Sequence, residues 1–307
     1  MSFIERKIDV TIQLDGDTFD GGGNMVQLSG LRCQATILNY TGTAGSFAYQ
    51  LQMRINGMLA ADMAKMSTMG FTYGNYKKNL IQVRAGDDMS GMPVVFTGSI
   101  YSAIVDYNAM PDVGVEILAF ADLNQKFMKA SATSYKGAMD VATMIQGICA
   151  QAGLKFINNG VTTKLSNHAV GGNYMAQIWD ICHAAGCFSN QSLDGSTITI
   201  FPKGGSIDNT VIVASPKTGL VGYPMYNGHG INVVVEFNPT AQAGRYVRVD
   251  TSAPNFTPTA IQRFSHQTAD NTTDFFINTV THNISSQTVN GPWFTTMEAS
   301  ETKHRVV

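Results

Sequence analysis

Charge is what this chain has least of. Asp, Glu, Lys and Arg make up 14% of its 307 residues, against roughly 25% in an average soluble protein. A free monomer so poor in charge has little solubility margin, so the composition suits a subunit whose surface is largely covered by neighbours. The formal net charge of −2 leaves no basic footprint for wrapping or reading nucleic acid. Contact with DNA that merely passes through a channel stays compatible with it. Cysteine is sparse too: Cys33, Cys149, Cys182 and Cys187 are scattered and mostly inside apolar patterns. That usage fits a reducing cytoplasm better than a secreted disulfide scaffold. Residues 1–7 hold no hydrophobic signal core. The charge-free run over 218–235 is broken by Gly219, Gly222, Pro224, Asn227, Gly228 and Gly230, which excludes a membrane span there. The expectation is a chain made in a cytoplasm, with no stable membrane binding. The sequons at Asn39, Asn271 and Asn283 read as chance in a Ser/Thr/Asn-rich chain.

Reactive motifs are missing as well. There is no GxSxG, HExxH or P-loop lysine, so the common nucleophile, zincin and nucleotide signatures are absent. Gly228-His229-Gly230 has a strand-like run after it where a dinucleotide site needs a helix, and reads as a turn. Asp15-Gly16-Asp17 and Asp87-Asp88 lack the ligand ladder of a calcium loop. Cys182, His183 and Cys187, with His168 as a fourth group, invite a zinc reading, but zinc needs about four N or S ligands converging tetrahedrally. Cys182 falls on the apolar stripe of its helix and the spacing is wrong, so these read as core cysteines. His229, His266 and His282 read as polar surface, and methionines such as Met53, Met63, Met66 and Met144 as core filler. Paired carboxylates for sugar hydrolysis stay open, because such pairing is spatial. No catalytic, cofactor or metal residue is assigned, and the chain is expected not to be an enzyme.

What the chain does have is 44% apolar residues and 30 glycines, arranged as short alternating runs between turns. Ile8, Val10, Ile12 and Leu14 share one face, the period-2 mark of a half-buried strand. Further strands are predicted over 25–38, 47–55, 80–85, 94–107 and 113–121, with one short helix over 59–66. The middle changes period. Val141, Met144, Ile145, Ile148, Cys149 and Ala152 fall on one helical stripe within 138–152, and Gly153 stands at its stop. A second helix over 174–185 ends at Gly186, and a hairpin turns at Asp194-Gly195. Strands return over 210–214, 231–237, 246–249, 275–284 and 293–299. The expected fold is α+β and mostly β: two antiparallel β-barrel domains, 1–121 and 206–307, flanking a small α/β domain, 122–205.

Several segments carry a resemblance. Ile212-Val213-Ala214-Ser215-Pro216-Lys217-Thr218-Gly219-Leu220-Val221-Gly222-Tyr223-Pro224 is followed by Gly230-Ile231-Asn232-Val233-Val234-Val235-Glu236-Phe237-Asn238-Pro239 and by Gly244-Arg245-Tyr246-Val247-Arg248-Val249. Val83-Arg84-Ala85-Gly86 and Val95-Phe96-Thr97-Gly98-Ser99-Ile100 precede them. Val280-Thr281-His282-Asn283 and Gly291-Pro292-Trp293-Phe294-Thr295-Thr296-Met297 come after. In this order they resemble the baseplate hub proteins of contractile phage tails, related to late-control D proteins and type VI secretion spike hubs. One departure is that 285–290 lacks the acidic residues of that family's loop.

The resemblance implies a homotrimer whose paired β-barrels form a ring of near-sixfold symmetry. The implied partners are the tail tube or tube-initiator proteins, the central spike protein and other baseplate proteins, with genome DNA only in transit. The implied location is the tail baseplate of a virion made in a bacterial cytoplasm. A distal-tail or tube-initiator ring protein, a cell-wall-degrading tail enzyme and a receptor-binding module are the other readings.

Overall fold

The structure is a computed structural model, and it describes residues 5–41, 46–67, 78–226, 230–250 and 273–301. His229, His266, Gly228 and the sequon at Asn271 lie outside the described residues. The first region supplies β1 (Lys7–Gln13), β2 (Met25–Leu28), β3 (Arg32–Thr41), β4 (Ser46–Asn56), α1 (Ala60–Met66), β5 (Leu80–Gly86), β6 (Val94–Asp106) and β7 (Gly114–Phe120). After α2 (Leu123–Phe127) come β8 (Thr133–Asp140), α3 (Val141–Gln151), β9 (Lys155–Asn158), β10 (Lys164–Val170), α4 (Tyr174–Ala185), β11 (Cys187–Gln191) and β12 (Thr197–Pro202). The last region holds β13 (Val211–Ala214), a 3-10 turn (Pro216–Thr218), β14 (Met225–Tyr226), β15 (Gly230–Glu236), β16 (Tyr246–Val249), β17 (Thr273–Ser286) and β18 (Trp293–Glu301).

Local chemistry explains most of these boundaries. In β1 the residues Ile8, Val10 and Ile12 are buried and their neighbours are not, as alternation requires. The Asn173 side chain accepts the Ala176 N–H to start α4, and Gly186 ends it at φ +66°, a left-handed stop that costs glycine least. The run expected as one strand over 25–38 is two strands, β2 and β3, with Gly30 at φ +70° between them. Helix α3 begins at Val141, because 133–140 pairs with β10 as a separate two-stranded sheet.

The α+β, mostly β character is as expected, but the two β-barrels are not there. Sixteen strands join one hydrogen-bonded network whose main path runs β14-β15-β18-β17-β3-β4-β7-β6-β5-β1-β2, and no pairing joins its ends among the described residues. The reason lies in which edges meet. β3 is flanked by β4 on one side and β17 on the other, through eight aligned pairs from Thr279↔Tyr40 to Ser286↔Cys33. An edge used in this way is unavailable to close its own region. Alternation in a sequence tells which side chains face in, and it says nothing about which strand lies alongside.

β17 can serve two neighbours because it bulges between Ile277 and Thr279, the kind of irregularity that re-aims a strand. Its first half pairs with β16 and its second half with β3. The Gly244 N–H donates to Ile277 O (2.8 Å) and the Ile277 N–H to Arg245 O (2.9 Å), filling the step. Buried Asn39 seals the junction: its Nδ2 donates to Ala48 O (3.2 Å) and its Oδ1 accepts the Ala243 N–H (2.6 Å).

Three apolar clusters result. One lies under the first region and takes in Ile284 and Trp293 from the last strands. A second gathers Val233, Phe276 and Met297 with Phe201 from β12. The third packs Met144, Ile148, Ile178 and Cys182 of the helices against Ile198 and Ile200. Each fully buried aliphatic side chain contributes roughly 1.5–3 kcal/mol relative to exposure.

Candidate assembly surface

Strand register places a continuous row of side chains across seven strands. Ser102 stands opposite Leu118, then Gln52, Thr36, Asn283, Phe294 and Glu236 follow in step. A parallel row runs Phe120, Gln50, Leu38, Thr281, Thr296 and Val234. These positions are exposed or half-buried, while the alternate residues Ile37, Leu51, Ile117 and Val280 are buried. Seven strands at about 4.8 Å make a face about 29 Å wide.

Uncharged amides and hydroxyls dominate this face. Among the described residues its two cations are both paired: Arg54 bridges Asp106 (3.1 Å) and Glu116 (2.8 Å), and Arg32 meets Asp112 at 3.3 Å. Glu236 and Glu298 add acidic positions. A groove of about 770 Å³ lies along the face, lined by Gln34, Gln52, Arg54, Ser102, Leu118 and Asn283 among others. Amides in such a groove can exchange hydrogen bonds with a passing or docked polymer without holding an anion.

The motif residues of the sequence do structural work around this face. The Ser215 N–H donates to Thr218 Oγ1 (2.9 Å), whose hydroxyl donates to Val213 O (2.8 Å), so Ser215 to Thr218 close a tight turn. Gly219 follows at φ +88°, and a Cβ there would stand 3.1 Å from Glu236 Cβ. At Gly230 a Cβ would come within 1.9 Å of Ala299 O, so only glycine lets β15 approach β18.

His282 corrects the surface reading of that residue, since it is buried. Its Nδ1 lies 2.9 Å from Thr295 Oγ1, which also accepts the Asn238 N–H at 2.9 Å. The His282 tautomer decides which of the two donates, and burial pushes the imidazole down to about 4. Phe237 meets both His282 and Trp293 edge-on, at 5.5 and 5.1 Å between ring centroids. The signal was in the sequence: His282 has the same parity as Val280 and Ile284, both inward.

Of the zinc candidates the structure brings only Cys182 and Cys187 together, side chain to side chain. Cys149, Cys182 and Cys187 are buried free thiols in the helical cluster, and burial pushes Cys149 up to about 12. His183 points out, and His168 faces Asp180 at 3.4 Å. No group of three or more His, Cys, Asp or Glu side chains suited to a metal occurs among the described residues. Met53, Met63, Met66 and Met144 are buried core filler as expected.

By architecture this is an open, mostly antiparallel sheet joining both ends of the chain, with a helical unit on its side. No protein-family model matches the chain, and no curated protein matches it. Solved structures share the fold. A tail protein from Neisseria meningitidis is 11% identical with a TM-score of 0.58, and the match covers 97% of this chain and 99% of that one. The 43 kDa tail protein of prophage MuSo2 from Shewanella oneidensis is 10% identical at 0.53, over 97% and 99%. A chain of the Francisella PdpA–VgrG complex is 8% identical at 0.52; the match covers 99% of this chain but 59% of that longer one. At these identities the likeness is one of fold.

Proposed function

We propose that the chain is a structural subunit of a phage tail tip, a baseplate hub acting as a homotrimeric ring between the tail tube and the central spike. The observation that carries this reading is the fold shared with two tail proteins over nearly the whole of each chain. The wide, charge-poor sheet face supports it further. A wall of amides and hydroxyls, with its arginines already paired, would let genome DNA slide past, because among the described residues it offers phosphates no unpaired cation to displace the counterions of the DNA. In this reading the low overall charge reflects surface covered by neighbouring subunits, tube and spike.

The role is architectural, without a catalytic step, and its place is the virion. Light scattering coupled to size exclusion on the full chain tests it. A mass near three subunits that persists on dilution is expected. A sixfold mass points to a tube-initiator or distal ring instead. A single-chain mass that persists even with the candidate spike protein added sinks the hub reading.

A further inference from the structure

We infer that Cys182 and Cys187 form a disulfide across the left-handed stop of helix α4, by exchange with a small-molecule disulfide. Gly186 ends that helix at φ +66°, and its N–H donates to His183 O at 3.2 Å. In a stop of this kind the residue after the left-handed glycine folds back onto the residue four before it. Those two residues are Cys187 and Cys182. In an unbroken helix, side chains five residues apart would point about 140° away from each other. A disulfide needs side chains that converge, and the stop supplies this. Both cysteines face inward, at 0% and 3% exposure, in one apolar cluster, and their thiols hydrogen-bond to each other.

The two thiols are unlike. The hydrogen bond from Cys182 holds the Cys187 thiol below its ordinary value, and the same contact, with burial, raises Cys182 well above it. Cys187 is thus the attacking sulfur, since the thiolate is the nucleophile. Access comes through the stop itself. His183 and Ala184 are exposed, and Ala185 and Gly186 half-buried, so fraying of the last helical turn uncovers Cys187. The Cys187 thiolate attacks one sulfur of a reagent such as oxidised glutathione, whose S–S bond breaks to release a thiolate that takes up the Cys187 proton. Cys182 then loses its proton and attacks the Cys187 sulfur, expelling the second glutathione as a thiol. Two cysteine thiols are oxidised by two electrons, and one reagent disulfide is reduced to two thiols. Cys33 lies in the core of the first region, and burial pushes both Cys33 and Cys149 up to about 12, so neither competes as a nucleophile.

The test holds the full native chain with oxidised glutathione, blocks remaining thiols with an alkylating reagent and digests with trypsin. One tryptic peptide, 165–203, carries Cys182 and Cys187 and no other cysteine, so its mass alone reports the bridge. The number of alkylated thiols is expected to fall from four to two. That peptide should be two hydrogens lighter, with the circular dichroism spectrum of the chain unchanged. Cys182→Ser is expected to trap glutathione on Cys187, and Cys187→Ser to leave Cys182 unmodified over the same time. Four alkylated thiols in the native chain, with peptide 165–203 at its reduced mass, overturn the pair. So does a bridge that forms only in urea, or one that takes Cys149 in place of Cys187. The readout is the same for a single chain and for a ring, so the pair stands or falls apart from the proposed role.

Discussion

The hairpins β3–β4 and β17–β18 lie side by side and obey the same alternation, yet each buries a polar side chain for a different purpose. In β3 the inward row Cys33, Ala35, Ile37 ends at Asn39, whose partners are backbone groups of Ala48 and of distant Ala243. In β17 and β18 the inward polar residues, His282 and Thr295, are direct cross-strand neighbours and satisfy each other. A buried amide recruiting remote backbone ties two regions together. A buried imidazole–hydroxyl pair stays local but carries a group that titrates. The same pattern thus yields a seam in one hairpin and a pH-sensitive point in the other.

The largest way to break the comparison is to empty the second hairpin. Phe276 is fully buried and stacks on Phe188 at 6.2 Å, so Phe276→Ala is expected to cost roughly 3–5 kcal/mol in urea unfolding.

Acid comes next. His282 ordinarily titrates near 6.5 and in the fold near 4, so the unfolded chain binds the extra proton between those values. The stability that His282 contributes is expected to be full above about pH 6.5, to fall as pH drops toward 4, and to level off below. The full shift is worth on the order of 3 kcal/mol. Urea midpoints from pH 8 to 4.5 check the slope, and His282→Gln should flatten it while Asn39→Ala should not.

Asn39→Ala leaves the Ala243 N–H buried without an acceptor, an expected loss of about 1–3 kcal/mol with no change in pH dependence. A loss confined to the first region, with β17 amides still protected in hydrogen exchange, would show that Asn39 is not the seam. Smallest is Glu116→Gln. Its carboxylate is 60% exposed and Arg54 keeps Asp106, so the effect should stay within about 0.2–1 kcal/mol and shrink in salt.

The strands themselves were largely legible, because Ile8, Val10, Ile12 and their counterparts alternate cleanly. Helices α3 and α4 were legible from their stripes. Pairing was not. Nothing in the alternation of Ile37 or Val280 reveals that their strands lie together, and that pairing is what replaces two closed barrels with one open sheet. Strand β8 carries no such signal, because none of Thr133–Asp140 is buried and it has no apolar alternation to read. His282 reads as surface only if its polarity outweighs its parity, which points inward with Val280 and Ile284; Asn39, singled out only as a chance sequon, also shares the inward parity of Ala35 and Ile37. The candidate surface was legible only as a shortage of charge; its place on one face needed the register.

The pairing of β3 with β17 also sets a timetable. Thr36 and its partner Asn283 are 247 residues apart, and ribosomes add about 5–20 residues per second. For roughly 12–50 s of synthesis, then, the ten-residue strand β3 waits with one side unpaired. During that interval its exposed edge is a sticky template for other nascent chains, which makes the pace of translation and the reach of chaperones part of how this sheet is completed.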